Sequence, residues 1–205
     1  MTSVVVVSAG LSVPSSTRLL ADRLAAATTR ALPGAEVTHV ELRGLAHELT
    51  DHLLTGFPAP DLAGALDAVR RADALIVVTP VFSASYSGLF KTFFDVLEPG
   101  VLDGTPVLVA ATAGTARHSL VLDHALRPLF AYLHAVVVPT GVFAATDDFG
   151  DAGLDTRIAR AAGELAVLVG GAAAEGAAGS RRRTVADQLD DPTPFADLLR
   201  GVGAA

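Results

Sequence analysis

The chain has 205 residues, a formal net charge of −7 and no cysteine. This length suffices for one α/β domain with a substantial core, and the acidic balance argues against nucleic acid as the main partner. The lack of cysteine excludes disulfides, thiolate catalysis and cysteine-ligated metals, and the first apolar run is too short for a signal or membrane segment, so we expect a cytoplasmic protein without a membrane partner.

The first predicted strand leads through a hydroxyl-rich turn into a helix. The apolar run Val4–Val7 precedes Ser12-Val13-Pro14-Ser15-Ser16-Thr17-Arg18, where a helical pattern begins. The unpaired N–H groups and the dipole of a helix N-terminus favour an anion, and clustered hydroxyls add donors. Because neither Gly-x-Gly-x-x-Gly nor a P-loop lysine is present, the turn favours one phosphate monoester, such as that of FMN, over a pyrophosphate. A capped helix that binds nothing is the alternative interpretation.

Short apolar runs alternate with helical patterns along the rest of the chain. They predict a five-stranded parallel sheet with helices on both faces, which is typical of the α/β, doubly wound, flavodoxin-like arrangement. The ligands of such sheets bind beyond the carboxyl ends of the strands, so the loops after Val7, Val78 and Ala111 should converge on one site. The predicted strands are Val4–Val7, Val37–Leu42, Ala74–Val78, Val107–Ala111 and Ala135–Val138, and the predicted helices are about Ser16–Ala31, Leu62–Arg71, Ser87–Leu97, Leu120–Leu133 and Asp155–Val169.

Two segments fall outside this alternation. Gly44–Pro60 is predicted to be a long connection that forms a lid or an interface. Gly170–Ser180 is rich in glycine and alanine and is predicted to be a flexible link. We therefore divide the chain into a flavodoxin-like domain, residues 1–172, and a link with a C-terminal helical extension, residues 173–205. Arg181–Arg183 has two interpretations, a solvated run paired with nearby aspartates and a contact to a phosphate of a nicotinamide nucleotide.

The loops after the third and fourth predicted strands resemble those of a known family. Thr79-Pro80-Val81-Phe82, followed by Tyr86-Ser87-Gly88-Leu89-Phe90-Lys91-Thr92 and Asp95, resembles the second flavin loop of the NAD(P)H-dependent FMN reductases. Ala111–His118 and Asp123–Leu129 resemble later motifs of that family, and the similarity runs from about Val4 to Val169. It is greatest to reductases that serve two-component alkanesulfonate-type monooxygenases. The tail from Arg181 to Arg200 resembles an extension associated with luciferase-like monooxygenases.

The resemblance implies an NAD(P)H:FMN oxidoreductase that supplies reduced flavin to a flavin-dependent monooxygenase. It implies FMN and NAD(P)H as cofactors and a homodimer or homotetramer as the assembly. Because the cofactors carry the hydride transfer, no catalytic side chain is predicted. The resemblance places the FMN phosphate at Ser12, Ser15, Ser16 and Thr17, the ribityl chain and ring edge at Pro80, Val81, Phe82 and Ser83, and the pyrimidine end at Thr112, Ala113, Gly114 and Thr115. Arg18 either contacts the phosphate or faces solvent, and the N–H groups of Val81 to Ser83 are expected to be free.

His124 lies where the two-component reductases carry an inserted Tyr or His in the fourth helix. The resemblance implies a π-type bulge there, at a tetramer interface, with His124 as a modulator of flavin release. The alternative is an ordinary helix histidine packed between subunits.

Two alternatives for the whole protein also stay open, an FMN-retaining quinone- or azo-type reductase and a flavodoxin-like electron carrier. No metal site is predicted, because the histidines lack ligand spacing.

Overall fold

The valines of the first strand are buried on both faces of a parallel sheet. The computed structural model describes residues 1–174. In the strand β1 (Ser3–Ser8), Val4 and Val6 pack against one layer of helices, and Val5 and Val7 pack against the other. Because successive side chains of a strand point to opposite faces, a strand covered on both sides needs a continuous apolar run.

The strand order is that of a flavodoxin-like sheet. The further strands are β2 (Glu36–Glu41), β3 (Ala74–Phe82), β4 (Ser85–Tyr86), β5 (Pro106–Ala113), β6 (Val136–Val137) and β7 (Val142–Ala145). They are arranged in the order β2-β1-β3-β5-β6, with β7 also parallel to β5 and β4 antiparallel to β3. The predicted fold class is confirmed, whereas the sheet has seven strands and not five.

The two additional strands have separate origins. β4 is the return of a hairpin at the end of β3. The predicted strand Ala135–Val138 is only the first half of a divided strand, because β6 and β7 both pair with β5 on either side of Pro139. Pro139 has no N–H to donate, and the Thr140 N–H and hydroxyl bind the Glu164 carboxylate instead, each at 2.7 Å.

Two helical layers cover the sheet. The α-helices are α1 (Ser16–Ala31), α2 (Ala46–Thr55), α3 (Pro60–Arg71), α4 (Gly88–Asp95), α5 (Arg127–Tyr132) and α6 (Ala152–Ala174), with 3₁₀ turns at Ala116–His118 and Thr146–Gly150 and a π-helical turn at Leu122–Leu126. Helices α1 and α6 cover one face, and α2 to α5 cover the other. No helix within residues 1–174 is long and apolar enough to cross a bilayer.

The structure corrects the prediction for two connecting segments. Gly44–Pro60 is not an extended connection, because it contains α2, whose Leu49 is fully buried and whose end is Gly56 in the left-handed conformation with φ 78°. At the other end of the domain, α6 continues through Gly170 to Ala174, past its predicted end. The remainder of the predicted link and the extension, including Arg181–Arg183, lie outside the described residues.

Candidate functional site

The turn after β1 presents unpaired N–H groups at the start of α1. Ser15 caps the helix, and its Oγ accepts the N–H of Arg18 at 3.2 Å. The N–H groups of Ser16 and Thr17 have no acceptor among residues 1–174, and the Ser12 and Ser16 side chains are exposed. These are the neutral donors that a phosphate monoester needs at a helix N-terminus, so the residues of this turn fit the phosphate of FMN.

Gly10 makes room for this cap. A Cβ at Gly10 would lie 2.1 Å from Ser15 Oγ, which is closer than side chains approach in proteins, and 3.1 Å from Thr17 Cβ, which is a tight contact. Only a glycine therefore lets the chain pass behind Ser15 without displacing it. The sequence showed Gly10 only as an isolated glycine, and its contact with the cap could not be predicted from it.

The side chain of Thr17 joins two of the converging loops. Its Oγ1 lies 2.8 Å from Oγ1 of Thr112 at the end of β5, and each residue is only 2% exposed. The family resemblance implies that Thr17 contacts the phosphate and that Thr112 lies at the pyrimidine end of the flavin. The structure pairs their hydroxyls with each other, and either can be the donor. The Thr17 N–H is available to a phosphate in both cases, and the Thr17 hydroxyl can also donate when Thr112 is the donor of the pair.

The second loop is a hairpin, which the sequence did not predict. Strand β3 continues beyond Val78 to Phe82 and turns back through Ser83 (φ 48°) and Ala84 (φ 65°). Two successive left-handed residues form a type I′ turn, and Phe82 is paired with Ser85 across it. The expectation of free N–H groups throughout Val81 to Ser83 is therefore wrong in part, because one side of this segment is engaged by β4.

Thr79 connects the base of this hairpin to the start of α4 by a hydrogen bond. Its hydroxyl accepts the N–H of Ser87 at 3.0 Å and donates to the Pro80 carbonyl at 2.9 Å, and Thr79 is fully buried. In the sequence, Thr79 is noted only as part of a motif. Its position directly before a proline was the available signal, because an Oγ there can bond to a nearby backbone group where the proline has no N–H to donate.

The three loops meet along the carboxyl ends of β1, β3 and β5. Pro80 is in register with Thr112, and the Ala9 N–H donates to the Val78 carbonyl at 2.9 Å. Gly114 and Thr115 follow β5 and are exposed. The predicted convergence is confirmed at the level of the backbone, and each predicted flavin residue lies on one of these three segments.

Large aromatic side chains do not bracket this site within the described chain. Phe82 is 47% exposed beside the hairpin turn. Tyr86 instead packs on Phe90, with 5.9 Å between ring centroids, and Tyr132 is exposed at the end of α5. Within residues 1–174, no three His, Asp or Glu side chains converge to hold a metal ion.

Two carboxylates hold Arg18 beside the phosphate turn. Arg18 Nε lies 2.7 Å from Asp22 Oδ1, and its other guanidinium arm contacts the carboxylate of Glu41 at the end of β2. His39 Nδ1 lies 3.8 Å from Asp22 Oδ1. Burial and the positive charge of Arg18 lower the pKa of His39, against the opposing effect of Asp22. Glu41 was not predicted to take part, because this contact depends on the pairing of β2 with β1.

The predicted π-type bulge is confirmed. His124 lies at the centre of the π-helical turn Leu122–Leu126, with its side chain exposed. After this turn, Arg127 binds Asp123 at 2.9 Å and the Val138 carbonyl at 3.1 Å, which ties the helix to the divided strand. A depression of about 350 Å³ separates the π turn from the β3–β4 hairpin. It is lined by Ala84, Ser85, Arg117, His118, Leu120, Val121, His124 and Ala125.

Comparison with known proteins agrees with this geometry. Residues 2–150 match the family model of the NADPH-dependent FMN reductases. The chain is 42% identical over 173 residues to an FMN reductase (NADPH) of Pseudomonas aeruginosa, covering 82% of this chain and 92% of that protein. It is also 42% identical over 172 residues to the NADH-dependent FMN reductase SfnF of Pseudomonas fluorescens, covering 82% and 91%. An oxidoreductase from Corynebacterium diphtheriae of known structure has a TM-score of 0.81 at 52% identity, covering 83% of this chain and 98% of that one.

Proposed function

The chain belongs to the NADPH-dependent FMN reductase family, and from that premise we propose that FMN is its substrate and that the reduced flavin passes to a partner monooxygenase. The protein is an NAD(P)H-dependent FMN reductase. A bound flavin supplies the chemistry by accepting a hydride from the nicotinamide. The residues of this chain have to bind and orient the two nucleotides, and the reaction does not require a nucleophile from them.

The exposure of several residues along the three loops is the observation that supports flavin exchange. Ser12, Ser16, Gly114 and Thr115 are exposed, and Phe82 is 47% exposed. Pockets that retain a small molecule bury about 70–90% of its surface. We propose that residues 1–174 of one chain enclose the flavin only in part, so that it leaves after reduction.

Each segment of the site has its own proposed task. The N–H groups of Ser16 and Thr17, with the hydroxyls of Ser12 and Ser16, hold the phosphate. Pro80, Val81, Phe82 and Ser83 line the ribityl chain and the ring edge, while Ala113 to Thr115 approach the pyrimidine end with their backbone. Ser15 and Thr112 position these groups, through the helix cap and through the hydroxyl pair with Thr17.

Oxidation of NAD(P)H with and without added FMN tests the proposal. We expect the desalted protein to be colourless, and we expect NAD(P)H oxidation to need added FMN and to saturate with it. A yellow protein whose rate is independent of added FMN would instead be an FMN-retaining reductase of the quinone or azo type. A flavin-containing protein that does not oxidise NAD(P)H would be an electron carrier.

Transfer to a monooxygenase is tested by coupling the two reactions. The protein, NAD(P)H and FMN are mixed with a flavin-dependent monooxygenase and its substrate, and product is measured with each component omitted in turn. We expect product only in the complete mixture. Equal product formation without the reductase would contradict the proposal. The names of the relatives include both NADPH and NADH, so parallel assays with each nucleotide determine the preference.

The remaining parts of the proposal concern assembly and location. We place a homodimer or homotetramer in the cytoplasm, with the π turn around His124 at a subunit interface. Sedimentation velocity of the wild type and of a His124→Ala variant tests the assembly. Residues 1–172 are proposed as the reductase domain, so truncation after Ala174 should preserve FMN-dependent NAD(P)H oxidation.

A further inference from the structure

We propose that Asp22 and Glu41 hold Arg18 away from the FMN phosphate and thereby keep FMN affinity low enough for release. This inference rests on the proposed use of FMN as a substrate, and it assigns the control of flavin release to three charged residues.

Arg18 lies in the first turn of α1, where its N–H binds the capping Ser15 at 3.2 Å. An arginine at this place is within reach of an anion at the helix N-terminus and would strengthen phosphate binding through a charge-assisted contact. Its side chain instead runs along α1 to Asp22, four residues later, with Nε 2.7 Å from the carboxylate.

Glu41 is held beside the same turn by the sheet. It ends β2, where it is in register with Ser8 at the end of β1, and the Leu42 N–H donates to the Ser8 carbonyl at 3.0 Å. The turn that carries Ser12 to Ser16 starts just after Ser8. The carboxylate of Glu41 therefore contacts Arg18 from a regular strand and not from a mobile loop.

The charges of this trio, Arg18 with Asp22 and Glu41, do not favour an anion. Two carboxylates face one guanidinium, so the group is net negative. Among residues 1–174, His39 also faces the trio, with Nδ1 3.8 Å from Asp22 Oδ1, and burial and the charge of Arg18 lower the pKa of His39. A phosphate on the Ser16 and Thr17 N–H groups is then bound by neutral donors alone, and Arg18 must leave two partners before it can add its charge.

The expected size of the effect follows from exposure. The side chains of Arg18, Asp22 and Glu41 are 35%, 47% and 56% exposed, so solvent screens each interaction. Exposed ion pairs of this kind change an equilibrium by a few-fold at most. Releasing Arg18 from one carboxylate should therefore tighten FMN binding about two- to five-fold.

Dissociation constants of FMN and riboflavin test the proposal, because riboflavin lacks the phosphate. Flavin fluorescence is titrated with wild type, Glu41→Gln, Asp22→Asn, Arg18→Gln and the double variant Arg18→Gln/Glu41→Gln. We expect Glu41→Gln and Asp22→Asn each to tighten FMN and to leave riboflavin unchanged. In the Arg18→Gln background, Glu41→Gln should have no effect on FMN.

Three results would overturn the proposal. Equal tightening by Glu41→Gln with and without Arg18 would show direct repulsion of the phosphate by the carboxylate. Equal tightening of FMN and riboflavin would place the effect away from the phosphate. Unchanged or weaker FMN binding in both single carboxylate variants would remove the carboxylates from flavin release. The binding cycle does not depend on turnover, so a failure of this proposal can be told apart from a failure of FMN-dependent NAD(P)H oxidation.

Discussion

The hydroxyl pair between Thr17 and Thr112 should show strong coupling on mutation. Thr17→Val keeps the shape of the side chain but leaves the Thr112 hydroxyl buried at 2% exposure without its partner 2.8 Å away. An unsatisfied buried hydroxyl costs about 1–3 kcal/mol. For a domain of this size, a loss of about 2 kcal/mol lowers the melting temperature by about 4–8 °C. Thr112→Val should have a similar effect for the same reason.

The double variant distinguishes a buried hydrogen bond from a simple loss of packing. Thr17→Val/Thr112→Val removes both hydroxyls, so neither is left unsatisfied, and its stability should return to within about 1 kcal/mol of the wild type. Urea unfolding followed by circular dichroism gives the free energies for this cycle. We also expect each single variant to weaken FMN binding, because the pair joins the phosphate turn to the segment that follows β5.

Thr28→Val provides the matched control. Thr28 lies on the same helix, is fully buried, and its hydroxyl has no partner within residues 1–174. Removing an unsatisfied hydroxyl should leave the free energy of unfolding unchanged or raise it. If the two single variants at Thr17 and Thr112 had additive effects in the double variant, or if Thr28→Val were as destabilising as either, the argument from the hydroxyl pair would be refuted.

Three further substitutions probe other parts of the site and of the domain. Gly10→Ala places a Cβ 2.1 Å from Ser15 Oγ and should displace the helix cap, which lowers the melting temperature and weakens FMN binding in a fluorescence titration. His124→Ala removes an exposed side chain from the π turn, so stopped-flow kinetics should show altered FMN release while the melting temperature stays unchanged. Burial raises the pKa of Glu164, but hydrogen bonds from Thr140 and an interaction with Arg160 outweigh it and lower the pKa. A carboxylate whose pKa is lowered by folding stabilises the fold at pH values above the ordinary glutamate pKa, and this stabilisation is lost as the pH falls through the pKa of the folded state. The difference in melting temperature between wild type and Glu164→Gln should therefore shrink below about pH 4.

Controls for these variants are available in the same chain. A Cβ at Gly64 meets nothing within 4 Å, and Gly64 lies inside α3, so Gly64→Ala should raise the melting temperature where Gly10→Ala lowers it. If His124→Ala releases FMN at the same rate as the wild type, the His124 side chain has no role in flavin exchange. A pH-independent difference between wild type and Glu164→Gln would contradict the carboxylate interactions with Thr140.

The elements that were predicted correctly are those with strong local signals. The buried run of β1 has to be apolar throughout, and Ser15 marks the start of α1 as a helix cap. The three converging segments could be predicted because the carboxyl ends of parallel strands share one side of a sheet. Their family motifs then indicated the flavin.

The elements that were missed depend on tertiary contacts or have weak local signals. Helix α2 buries little beyond Leu49 and exposes Leu53 and Leu54, so its apolar periodicity is poor. The hairpin turn Ser83-Ala84 lacks the Gly, Asn or Asp that usually marks a type I′ turn. The contacts of Thr17 with Thr112 and of Arg18 with Glu41 join segments that are remote in the chain, and the packing of α1 on the paired strands brings them together.

The break at Pro139 also bears on how the sheet avoids self-association. An outermost strand with a long row of free N–H and C=O groups is a template for strand addition and aggregation. Here one outer position is divided into strands of two and four residues with a proline between them. The opposite outer strand, β2, exposes Glu36, His39 and Glu41, whose polar and charged side chains disfavour edge-to-edge pairing with a second sheet. Copies of this chain should therefore contact one another through helices and loops, and the sheet of one copy should not continue into the next.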